Sequence, residues 1–105
     1  MFIVNTENIK GKEIESCLGL VRGSATRSKS IISDFVAALK NIIGGEVHEY
    51  TKLLADTREQ AFSRMVKDAE GLGAEAIVNV RMTTSTISQG TSEILAYGTA
   101  VKLKS

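Results

Sequence analysis

The sequence predicts an α+β domain of two layers, in the order β-α-(α)-β-β, with a mainly antiparallel three-stranded sheet covered by helices on one face. Three observations predict it. Alternating apolar residues mark strands at 14–22 and 76–84, a 3.6-residue apolar repeat marks helices between them, and a turn-rich stretch at 85–92 leads into a last strand, 93–103. The chain has 105 residues, the length of one ordinary domain, so a single unit over 1–105 is expected.

The first strand places Ile14, Ser16, Leu18 and Leu20 on one side and Glu15, Cys17, Gly19 and Val21 on the other. Residues 2–5, FIVN, form a candidate short strand before it. After Gly23 the polar run SATRSKS reads as a loop, with Ser30 as a helix N-cap and Asp34 in the first turn. Ile31, Ile32, Phe35, Val36, Leu39, Ile42 and Ile43 follow at helical spacing, and Gly44 and Gly45 end that helix.

A longer helix is expected over about 47–69, where Leu54, Ala61, Met65, Ala69 and Leu72 recur at one or two turns and Leu53, Phe62 and Val66 widen the stripe. The GLG at 71–73 offers a left-handed glycine to close it. In the next strand Ala76, Val78, Val80 and Met82 oppose Asn79, Arg81 and Thr83, with Ile77 breaking the pattern. The turn residues Ser88, Gln89 and Gly90 make an antiparallel hairpin with EILAYGTAVKL.

That last strand is apolar on both faces. Ile94, Ala96, Gly98 and Ala100 face one way and are expected under the long helix; Leu95, Tyr97, Val101 and Leu103 face the other. Leaving those four exposed forgoes about 1.5–3 kcal/mol for each large apolar side chain. Self-association through this face or along the sheet edges is the expected remedy. The competing arrangement is a monomer whose N-terminal residues fold across the face.

Composition narrows the partners. Lys plus Arg number 13 against 12 Asp plus Glu, a net +1, so no global field favours nucleic acid or an anionic membrane. Cys17 is the only cysteine and excludes an intrachain disulfide. The chain shows no signal-peptide pattern, no bilayer-length apolar run and no Asn-x-Ser/Thr site, which fits a cytoplasmic protein.

The blocks IVNTENIKGKEI at 3–14, LGLVRG at 18–23, LKNIIGGE at 39–46, LGAEAIVNVR at 72–81 and EILAYGTAV at 93–101 resemble the YbjQ-like family of small bacterial and archaeal proteins. The resemblance extends over nearly the whole chain. It implies a β-α-β-β two-layer domain, a homo-pentameric ring and a label of heavy-metal binding.

Soft-metal sites gather Cys and His at short spacing, and this chain has one of each. A ring offers a way round this, because one residue per chain is repeated about the axis. His48 with Glu46 or Glu49 is then the candidate ligand set for a divalent metal ion. The simpler reading makes His48 a surface residue at a helix start and Cys17 a small core side chain. An anion or small ligand is the other candidate, held by backbone N–H groups at Gly44 and Gly45 with Arg22, Arg27 and Lys29 nearby; its plain counterpart is a glycine hinge.

Enzyme motifs fall away on physical grounds. HEYTK lacks the second histidine of a zincin helix, and GLGAEA closes a helix where dinucleotide binding needs one opened. The preferred reading is therefore a non-catalytic homo-oligomeric module that binds a metal ion or small ligand at an intersubunit or axial site. The alternatives are a small enzyme with a pocket between subunits, using His48, Glu49 and Asp34, and a purely structural or protein-partner ring.

Overall fold

The computed structural model describes residues 1–28, 48–88 and 91–105. Its elements are β1 (Phe2–Ile3), β2 (Ile14–Ser28), α1 (His48–Gly71), β3 (Ala76–Ser88) and β4 (Thr91–Leu103). The helix expected over 31–43 and the turn residues Gln89 and Gly90 lie outside the described residues.

Among the described residues the sheet has four strands in the order β1-β3-β4-β2, where the sequence reading had three. The extra strand is the FIVN segment, which pairs parallel to β3 through Phe2↔Ala76 and Ile3↔Ile77. The sequence offers it as a candidate short strand, and backbone bonds add it to the sheet, with Val4 N–H donating to Ile77 O at 2.9 Å and Val80 N–H donating to Val4 O at 3.1 Å. The other two pairings, β3 with β4 and β4 with β2, are antiparallel as expected.

The residues 23–28, read as loop, belong to β2 instead. Each finds a partner on β4, from Gly23↔Ala96 to Ser28↔Thr91. Small polar side chains carry little strand signal of their own, and it is the facing strand that makes them extended. Likewise β3 runs to Ser88, four residues past the expected end at 84.

One core lies between α1 and the sheet. Ala61, Met65 and Ala69 form the helix stripe and meet Val21, Ala25, Ile77, Ala96 and Ala100, all buried. The long helix, Ala96 and Ala100 thus stand as the sequence placed them, with Ile94 packed against the same cluster. Leu72 does not; it is 47% exposed, because the helix has already closed. Ala74 N–H donates to Ala69 O at 3.1 Å and Gly73, at φ 76°, takes the left-handed position, so the chain turns before Leu72 reaches the sheet.

The close approach of helix to sheet is made at Gly23, not at Gly98. A Cβ on Gly23 would collide with the helix backbone at Ala61, Arg64 and Met65. Gly98 instead leaves room within the sheet for Ile77 and Val80 of β3.

Three register slips reverse the expected alternation, the first between Ile14 and Ser16, which leaves Ile14 with Val101 on the outer face and Leu18 on the helix side. Between Cys17 and Gly19 the β2–β4 register slips at a bulge, with Gly19 at φ 117°. Leu18 therefore packs toward the helix core while Leu20 lies on the opposite face, 64% exposed. On β3 the register slips between Val78 and Arg81, with Asn79 at φ 56°. Ala76 and Val78 accordingly face away from the helix, Ile77 enters the core, and Val80 returns to the helix side.

Candidate functional site

The face of β4 away from the helix divides into two parts. At its C-terminal end Val101 is buried with Ala76 and Val78, and Val4, Ile9, Ile14 and Leu103 pack against them. The N-terminal segment therefore does fold across this part. Farther along, Leu95 and Tyr97 are half-buried, and Leu20 projects beside Thr99 in the next row.

The helix flanks differ as sharply. Phe62 and Val66 sit one position beyond the core stripe, on the side of β1 and β3. There Ile3, Val4, Asn5, Thr6, Phe62 and Val80 line an open groove of about 430 Å³. Its walls are hydrocarbon and aromatic; its polar groups come from Asn5 and Thr6. Arg81 secures one end, with Nη1 donating to Asn5 O at 2.7 Å and to Val80 O at 3.0 Å. Such a groove accepts an apolar side chain or a small ligand with an apolar body, and among the described residues its walls carry no group suited to proton transfer.

On the other flank Gln60, Arg64 and Asp68 reach β2. Asp68 Oδ2 accepts the Arg22 backbone N–H at 3.1 Å, Arg64 Nη1 donates to Ser24 O at 2.5 Å, and Arg27 Nη2 donates to Gln60 Oε1 at 3.2 Å. From the sequence, Phe62 and Val66 read only as widening the apolar stripe, and the polar flank is not singled out. The available signal was the pair of rows flanking 61, 65 and 69, one polar at a spacing of four and one apolar.

Of the residues proposed from sequence, His48 and Glu49 open α1. Glu46, Gly44 and Gly45 lie outside the described residues, as do Lys29 and Asp34. Arg22 and Arg27 are on opposite faces of β2: Arg22 is level with Tyr97 on the outer face, while Arg27 turns to Gln60 on the helix. Cys17 is exposed, level with Val101, and not the small core side chain of the simpler reading, because Val101 is already covered by the N-terminal segment. Among the described residues, no three His, Cys, Asp or Glu side chains gather in a way that could hold a metal ion. No described helix is long and apolar enough to cross a membrane.

The family described as "Putative heavy-metal-binding" matches residues 1–104. The chain belongs to this YbjQ-like family. Among its relatives are UPF0145 proteins of Halorubrum lacusprofundi, 50% identical over 99% of this chain and 100% of the relative, and of Archaeoglobus fulgidus, 49% identical over 99% and 96%. A UPF0145 protein of Photobacterium profundum is 52% identical over 98% of this chain and 100% of its own. In fold, the YbjQ-like chain is similar to a crystal structure of a protein of unknown function of the DUF74 family from Pediococcus pentosaceus. The TM-score is 0.64 at 15% identity, covering 99% of this chain and 98% of that one. At that identity the likeness is one of fold.

Proposed function

We propose that this YbjQ-like chain works as a one-domain, non-catalytic homo-oligomeric binding module in the cytoplasm, holding a small ligand or a metal ion at a site made between subunits or on their common axis. The observation that carries the reading is apolar surface that the other described residues leave open: on the outer face Leu20 is 64% exposed beside half-buried Leu95 and Tyr97.

Leu20, Leu95 and Tyr97 on the outer face and the groove at Ile3, Phe62 and Val80 are apolar parts of the described surface, and neighbouring subunits are what would cover them. Five subunits is the number implied by the family resemblance. In such a ring the His48, Glu46 and Glu49 set is repeated about the axis, which is how a chain with one histidine could assemble a metal site. Leu103 and Val101 contribute less to this interface than Leu95 and Tyr97, since the N-terminal segment already packs near them.

The test is native mass spectrometry of protein purified without an affinity tag, with metal analysis of the same sample. A discrete oligomer is expected; a monomer at micromolar concentration sinks the reading. Metal that persists in His48→Ala rejects the ligand assignment while leaving a binding module in place.

A further inference from the structure

We propose that the Gln60, Arg64 and Asp68 flank of α1 is an edge guard, closing residues 22–27 of β2 against pairing with the β2 edge of a second copy. Among the described residues β2 ends the sheet, and in an antiparallel ladder every second residue turns its N–H and C=O away from the neighbouring strand. Arg22 and Ser24 are two such residues, and a free edge would offer their groups to any other strand. Here Asp68 takes the Arg22 N–H and Arg64 takes the Ser24 carbonyl.

The fit is one of repeat lengths. Four helical residues rise about 6 Å and two strand residues advance about 6.6 Å, so successive turns of α1 meet successive outward-facing residues of β2. Decreasing numbers on the helix meet increasing numbers on the strand: Asp68 meets Arg22, Arg64 meets Ser24, and Gln60 accepts from the Arg27 guanidinium, whose Nη1 donates to the Thr26 carbonyl at 2.8 Å. Gly23 makes this possible, since only a residue without Cβ lets the helix backbone descend far enough for its flank to overreach the edge.

The partner kept out is another copy of the same edge. An identical strand brings matching donors and acceptors in antiparallel, two-fold register, and the guarded stretch between Arg22 and Arg27 contains only Gly23, Ser24, Ala25 and Thr26, with no charge to repel it. The guard holds whatever the subunit number of the proposed oligomer, because it concerns which contact the assembly must avoid.

The deciding experiment compares wild type with Arg64→Ala/Asp68→Ala, using Lys67→Ala as an exposed control on the same helix. Amide exchange at Arg22 and native mass are read together. The double variant is expected to exchange the Arg22 amide about five- to tenfold faster and to add species of at least about twice the wild-type mass, with the control unchanged. Wild-type exchange and wild-type mass in the double variant overturn the proposal. If the double variant does not fold, single variants decide: Asp68→Asn keeps an acceptor oxygen and should behave as wild type, whereas Asp68→Ala should show both changes. Equal behaviour of those two overturns it as well.

Discussion

The two edges of this sheet are finished in opposite ways. Along β2 the helix flank is polar and hydrogen-bonded to the strand, with Asp68 on the Arg22 N–H and Arg64 on the Ser24 carbonyl. Along β1 the flank is apolar, and Phe62 and Val80 border an open groove with Ile3. One helix supplies both flanks from adjacent rows. The lesson is that a single amphipathic helix can decide which side of a sheet is closed to other strands and which side offers apolar surface to a ligand or a subunit.

The comparison is broken most severely at Gly23. Gly23→Val should cost at least about 3 kcal/mol, since its side chain must displace helix backbone and not a flexible tip. Both flanks lose their seat, and a large drop in thermal midpoint by circular dichroism is the expected result. A melting temperature close to wild type would show that the helix does not depend on this approach.

Met65→Ala tests the row between the flanks. The side chain is fully buried, so a loss of about 2–5 kcal/mol is expected, read as a lower denaturant midpoint at unchanged slope. Phe62→Ala, on the β1 flank, should cost less, about 1–3 kcal/mol, because the ring is only half-buried. Its larger consequence should be in native mass, if the groove is covered by a neighbouring subunit. Unchanged mass would remove the groove from the interface.

Arg81→Ala tests how the β1 edge is held. Losing the bonds to the Asn5 and Val80 carbonyls should cost about 0.5–1.5 kcal/mol and speed amide exchange at Val4 and Asn79. The smallest effect belongs to Lys104→Ala. Its 3.5 Å pair with Glu13 is largely exposed, at 58% and 76%, and a change within about 0.5 kcal/mol is expected. A larger loss would mean that the C-terminal end of the sheet carries stability that its geometry does not reveal.

Much of this architecture was legible from residue spacing. The helix over 48–71 and the sides of Ile94, Ala96, Ala100 and Val101 followed from periodicity, since a repeat of 3.6 or of two states which residues must share a face. The candidate sites were less legible. Arg22 and Arg27 are neighbours in sequence but separated by the thickness of the sheet. The groove joins residues 3–6 to Phe62 and Val80, and no local pattern connects segments so far apart.

The sequence by itself determined an α+β chain with one strongly amphipathic long helix and a last strand apolar on both faces, because those features depend only on the local repeat of side chains. Tertiary structure decided the rest. A bulge at Gly19 sends Leu18 and Leu20 to opposite faces, and another at Asn79 puts Val80 on the helix side with Ile77, opposite Ala76 and Val78. One added residue reverses every side chain beyond it, and whether a strand takes up that residue is settled by what the facing strand and helix can accommodate.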